Sequence, residues 1–210
     1  MKTRNTLFVA LLALAGLFAL SAFQTATPKF GVVDLGVIAE KSKLGAKKKV
    51  EFDTMKGKIN ELMNFIGTHK VVSAEECQKL RELWLTEKPT DDQKKQLDNM
   101  KTSVVQRKGE WDTLVRKVNP DAAEKDRLNT LAEMTNASRE VLRQWNSEFG
   151  VLMQQLANSS EQEVVDKVRE AVKKHAKAQG YTMVFETTVA VYGANDVTED
   201  ALKVMDQDNP

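Results

Sequence analysis

The sequence predicts an α+β protein: a small β body built from both chain ends, and a long antiparallel helical coiled-coil hairpin between them. Three observations predict it. Gly180–Asp206 reads as two short strands and a closing helix. The only other strand-like segment is Lys29–Leu35, near the opposite end. Almost everything between the two is helical in pattern and densely charged. A body whose strands come from both ends closes only if the intervening helices run out and return.

The first element is a leader. Lys2 and Arg4 precede an apolar run from Leu7 to Phe23, followed by small and polar residues up to Pro28. A basic start, a short apolar core and small exit residues describe a secretory signal peptide over residues 1–22, cut after Ser21 or Ala22. The other reading is an uncleaved anchor, but the run is at the short end of the roughly 17–25 residues that a spanning helix needs. No cysteine follows the leader closely, which argues against a lipid anchor.

The body takes residues 28–45 and 180–210, with Val32, Val189, Val191 and Tyr192 as its expected buried and assembly positions. Three short strands cannot cover both faces of their own sheet, and a lone three-stranded sheet is marginal. Self-association through the body is therefore expected.

The arm takes residues 46–179. Phe52, Met55, Ile59, Leu62 and Ile66 recur at spacings of three and four, which keeps one stripe facing a partner helix. A second stripe runs Leu97, Met100, Val104, Arg107, Trp111, Leu114 and Val118; a third runs from Leu128 through Trp145 and Phe149 to Leu156. These seams are too narrow to cover a globular core. Beyond Leu156 the spacing drifts to four through Ser160, Val164 and Val168.

The seams have legible breaks. Gly67–Val72 interrupts the first, and Ser73 with Glu76 forms a capping box for a restart. Thr90 with Gln93, and Asp121 with Glu124, mark two more restarts. A chain reversal at Asn119–Pro120 sets Trp111 against Leu128, Leu97 against Leu142 and Ile59 against Gly180. The two earlier breaks absorb the excess length of the outgoing arm. The returning arm, Asp121–Gln179, would span about 90 Å at roughly 1.5 Å per residue.

Charge is spread unevenly. The whole chain has 31 basic and 30 acidic side chains. Loss of Lys2 and Arg4 with the leader leaves 31 − 2 = 29 against 30, a net of −1. Residues 46–179 hold 25 basic and 22 acidic side chains, whereas residues 180–210 hold one against six. The arm is mildly basic and the tail acidic.

No catalytic constellation emerges. His69 and His175 are distant in sequence, and neither has a ligand companion one helical turn away. Gly31 and Gly36 lack the spacing of a dinucleotide fingerprint. The lone Cys77 supports no internal disulfide and reads as small helical filler. The carboxylates alternate with Lys and Arg as on a solvated helix face. No enzyme activity, cofactor, metal or nucleic-acid partner is expected. Trp111 and Trp145 fall in the seams and read as packing, while Trp84, beside a break, is the best single candidate for touching a client. Lys47, Lys48, Lys49, Lys56 and Lys58 form a basic stretch at the arm root; they are candidate client contacts or a solvated face.

Both chain ends resemble the Skp/OmpH family of periplasmic chaperones. Val32–Lys49 is similar to the family's strand with a VVD core leading into a helix. Val191–Met205 is similar to its closing pattern, matched at Tyr192, Asp196, Val197, Thr198, Leu202 and Lys203. The resemblance implies a homotrimer whose bodies join in a β-rich hub and whose hairpins hang around a cavity. It implies a periplasmic holdase that shields unfolded outer-membrane proteins without ATP, with no stable membrane insertion once the leader is removed. Such clients expose alternating apolar residues and unpaired strand edges that aggregate in water. Residues 68–119 lengthen this arm, and the near-neutral mature charge predicts weaker electrostatic capture than in strongly basic members. The alternative is a structural or adaptor coiled-coil protein of the cell envelope that binds one folded partner.

Overall fold

The computed structural model describes residues 27–190, 193 and 195–210. The predicted signal peptide, Val191 and Tyr192 lie outside the described residues. In chain order the elements are β1 (Phe30–Val33), α1 (Leu35–Lys41), α2 (Lys43–His69), α3 (Ala74–Leu85), α4 (Asp91–Val115), α5 (Ala122–Ala178), β2 (Met183–Glu186) and α6 (Thr198–Asp208).

The two strands pair in parallel, Phe30 with Met183 through Val33 with Glu186. Parallel neighbours need a crossover between them, and here the whole arm is that crossover. Three strands are expected from the sequence; the described tail instead supplies one strand and an isolated bridge. Val32 turns its backbone away from β2, donating to Asn195 O and accepting from Val197 N, both at 2.9 Å. Val189, expected on a buried strand, lies in the turn after β2 and is 77% exposed. Its place follows from two backbone bonds that fold residues 186–190 into a turn: Val189 N and Ala190 N both donate to Glu186 O.

The inner face of the sheet presents Val33 and Val184 to a core of Ile38, Leu44, Val164, Val168, Ala171, Val197, Ala201 and Met205. Two local devices bring the chain ends together there. Asp34 caps α1 by accepting from Val37 N at 2.9 Å, and its own N–H donates to Thr198 Oγ1 at 2.9 Å. Ser42 then caps α2 through Gly45 N, and Gly45 is required: a Cβ there would sit 1.9 Å from Ala39 O.

The predicted capping box forms at Ser73–Glu76, and the two other predicted restarts, at Thr90–Gln93 and Asp121–Glu124, carry capping boxes as well. The last opens α5, whose 57 residues extend about 85 Å at 1.5 Å per residue. The distal register also agrees with the sequence: Arg127 meets Glu110 at 2.7 Å and Arg107 approaches Met134 at 3.5 Å.

The proximal register differs. Ile59 does not face Gly180 but packs with Trp145 and Phe149 in the arm's own core. Lys48 reaches Glu163 at 2.7 Å and Lys70 O accepts from Ser138 Oγ at 2.6 Å, so α2 runs along a more distal part of α5 than one continuous register would allow. The outgoing arm is Z-folded. α2 rises, α3 turns back beside it, and α4 rises again to the tip. Phe65 against Trp84 joins α2 to α3, and Arg107 on Glu76 joins α4 to α3.

Where the Z overlaps, four helices lie together around Ile59, Leu62, Ile66, Val72, Cys77, Leu80, Val104, Val141, Trp145 and Phe149. This knuckle buries the breaks at residues 70–73, where Val71 and Val72 are fully covered. The first break is thus part of a packed core.

Candidate functional site: the open face of the body and the arm

The outer face of the sheet carries Phe30 and Val32 on β1 beside Met183 and Phe185 on β2, because the register places them opposite one another. Among the described residues no helix covers it. Phe30 is 47% exposed, Met183 53% and Phe185 38%, with the two Phe rings 6.3 Å apart. Only Val32 is shielded, by the backbone of Gly193; a Cβ at that position would lie 2.4 Å from Val32 Cγ1. Val189, in the turn after β2, is exposed as well. Sequence reasoning named Val32 and Val189 but missed Phe30, Met183 and Phe185. Their alternation with Gly31, Val184 and Glu186 was the available signal.

Trp84 sits on the surface of the knuckle, half-buried, with Phe65 at 5.4 Å and the Lys101 ammonium 4.9 Å from its ring. His69 stacks on the same Phe65 at 4.6 Å. Trp84 therefore belongs to an aromatic ridge between α2, α3 and α4. Trp145 is fully buried in the knuckle core and Trp111 is half-buried on α4.

The five root lysines divide. Lys48 binds Glu163 at 2.7 Å, with Glu51 at 3.4 Å, and the Glu163 hydrogen bond raises its pKa. Lys58 donates to Thr86 O at 2.7 Å, closing the C-terminal end of α3. Lys47, Lys49 and Lys56 are exposed. Beside them lies an open groove of about 780 Å³ between α1, α2 and α5, floored by Leu35, Ala39, Phe52, Val164 and Val168.

His175 is nearly buried beneath Tyr181, their rings 6.2 Å apart, at the base of α5. Cys77 is buried in the knuckle, where burial pushes its thiol up to about 12, with Glu76 and Glu75 adding to the shift. A thiol held protonated in this way is a poor nucleophile. Among the described residues no group of His, Cys, Asp and Glu is placed to hold a metal ion, and no helix is long and apolar enough to cross a membrane. The arrangement presents binding surfaces.

A small body with one open apolar face carries a long helical hairpin arm. The chain matches the family model described as outer membrane protein (OmpH-like) over residues 29–205, and it belongs to that family. The match spans the Z-folded arm as well as both ends. No curated protein matches the chain. The family is one of periplasmic chaperones of outer-membrane proteins, which supports a general chaperone role here.

Proposed function

We propose that this protein is an ATP-independent periplasmic holdase. Three copies join through the open faces of their bodies and hold unfolded outer-membrane proteins between their arms. The observation that carries the reading is the uncovered Phe30, Met183 and Phe185 face, beside an arm rooted in the opposite, well-packed side of the body. A contiguous apolar patch on a soluble body favours a protein partner. Family membership favours a second and third copy as that partner. Val32, Val189, Val191 and Tyr192 remain assembly candidates, and Phe30, Met183 and Phe185 join them.

Trp84 is the proposed aromatic anchor for clients, supported by its half-buried place on an exposed ridge. The exposed Lys47, Lys49 and Lys56 are the alternative, cationic anchor for clients; Lys48 and Lys58 hold the arm together instead.

The test is the mass in solution of the mature protein and of Phe185→Asp, each assayed for keeping an unfolded β-barrel protein soluble. A trimer that suppresses aggregation, and a monomeric variant that does not, are expected. A monomeric parent at micromolar concentration, or a trimeric Phe185→Asp, overturns the assembly. Tight stoichiometric binding to a folded protein, with no suppression of aggregation, would favour the adaptor reading.

A further inference from the structure

Methionines are spread along the chain, but one stands apart. Of the seven among the described residues, only Met183 is exposed, at 53%. Met205 is fully buried in the body core. Met55, Met63, Met100 and Met153 pack against the knuckle core, and Met134 lies 3.5 Å from Arg107. A thioether is oxidised at a sulfur lone pair, so solvent access decides which methionine reacts first.

Met183 is also placed where a change of polarity matters. It lies on the outer face of the sheet, across the register from Phe30 and two residues before Phe185 on the same strand. Phe30, Val32 and Phe185 are hydrocarbon side chains, so Met183 is the one group on this face whose polarity an oxidant can alter. Its sulfoxide carries a strong hydrogen-bond acceptor, and none of these three neighbours has a side-chain donor to meet it. Nor can the strand turn the sulfur away. β2 is held to β1 over four residue pairs, and only a one-residue slip would move Met183 to the other face.

We propose that Met183 is a reversible oxidation site that controls whether the open faces of the bodies join. The inference rests on the assembly reading above and adds its control. The oxidant is hydrogen peroxide. The sulfur lone pair attacks one peroxide oxygen, and the O–O bond breaks as the S–O bond forms. The departing hydroxide takes the proton from the transferred oxygen and leaves as water. Sulfur is oxidised by two electrons and the peroxide is reduced by two. A methionine sulfoxide reductase, supplied with two thiols that leave as a disulfide, reverses the step. An unpaired acceptor buried between joined faces weakens each contact on the order of tenfold. Three such sites meet in one assembly, so the effects multiply. Joined faces in turn cover the sulfur, so the oxidant reaches only the unassembled chain, and assembly and oxidation oppose each other.

The test treats the mature protein with hydrogen peroxide and reads two quantities, the sulfoxide at each methionine by peptide mass and the mass in solution. In dilute protein Met183 should oxidise before the other methionines, and its oxidation should slow as protein concentration rises. Oxidised protein should fall in mass from three chains to one, and sulfoxide reductase should restore the assembly. Cys77, buried and with its thiol pushed up to about 12, stays protonated and does not compete. Met183→Leu removes the sulfur; compared with its own mass before peroxide, it should show no peroxide-dependent change. A parent that is monomeric before any peroxide is added fails the assembly reading, and the control falls with it. A parent trimer that keeps its mass with Met183 fully oxidised overturns the control alone. So does a Met183→Leu protein that dissociates in peroxide as the parent does, or a Met183 that reacts no faster than Met100 in dilute protein.

Discussion

Arg107 on α4 grips Glu76 on α3 with two hydrogen bonds, 2.7 and 2.8 Å, while Glu76 also accepts from Ser73 N at 3.0 Å. One carboxylate thus ends the turn into α3 and fastens α4 across it. The pair holds the Z-fold closed at the top of the knuckle. Arg107 is the polar residue that interrupts the second seam, and its side chain is only 13% exposed against 32% for Glu76. Arg107 Nε is buried and makes no hydrogen bond.

The two halves of this pair should respond differently to mutation. Glu76→Ala strands a mostly buried guanidinium and removes half of a capping box, so a loss of about 2–3 kcal/mol is expected. Arg107→Met leaves a carboxylate that still reaches water and still caps Ser73, so its cost should be below about 1.5 kcal/mol. Denaturant unfolding of the two variants measures the difference. Equal losses would mean that the pair acts only as surface charge.

The reversal between α2 and α3 allows two substitutions of opposite sign. Lys70 has φ +62°, a left-handed conformation that non-glycine residues rarely adopt. Its carbonyl is satisfied by buried Ser138. Lys70→Gly should stabilise by about 1 kcal/mol by removing the steric cost. Ser138→Ala should destabilise by about 0.5–1.5 kcal/mol by removing one of the two hydrogen bonds that carbonyl accepts, the other coming from Val72 N at 3.0 Å. Thermal melts read both, and a destabilised Lys70→Gly would show that the lysine side chain matters more than its backbone.

Much of the scaffold was legible because its signals are local. The capping box at Ser73, the restarts at Thr90 and Asp121, the tip before α5 and the closure of the two ends into one body all follow from short patterns whose physics is nearly context-free; the parallel pairing does not. The Z-fold was not. Seam spacing shows which face of a helix is covered, but not by which partner. Ile59, Leu62 and Ile66 look the same whether they meet one helix or three. The departures that encode the answer are single polar residues in the seams, Arg107 and Ser138, and each makes sense only once Glu76 and Lys70 are known to face it. The open sheet face was hidden for a different reason. The alternation in four-residue strands marks two faces but not which apolar one is left uncovered.

The distal arm should withstand mild acid. Arg127 binds Glu110 through two hydrogen bonds of 2.7 Å and holds its pKa below the ordinary value; Lys117 does the same for Glu124. A carboxylate depressed in the folded state contributes stability above its unfolded pKa, about 4.3, and loses it as pH falls through the lower folded value. Amide protection in residues 107–130, taken relative to the intrinsic exchange rate at each pH, should therefore stay flat from pH 7 to about 5 and fall below about 4. These groups are exposed, so the effect should be small and weakened by salt. Loss of protection already near pH 6 would mean that these two ion pairs do not set the acid response.

Client capture should depend more on the aromatic ridge than on charge. Residues 46–179 carry 25 basic and 22 acidic side chains, and two of the five root lysines are tied to Glu163 and Thr86. Raising salt from about 0.1 M to 1 M shortens the screening length from about 10 Å to about 3 Å. An arm that captured by long-range attraction would lose most of its affinity over that range. Here a loss of only a few-fold is expected, because apolar burial is not screened. Lys47→Gln/Lys49→Gln/Lys56→Gln should behave like the parent, whereas Trp84→Ala should weaken client binding about tenfold, the scale of one buried aromatic contact. Trp84 touches Phe65 and Lys101, so Trp84→Phe serves as the control: it keeps an aromatic ring on the ridge and should restore most of the binding. A steep salt dependence, with tenfold loss in the triple lysine variant and none in Trp84→Ala, would place capture at the root of the arm and take it away from the knuckle.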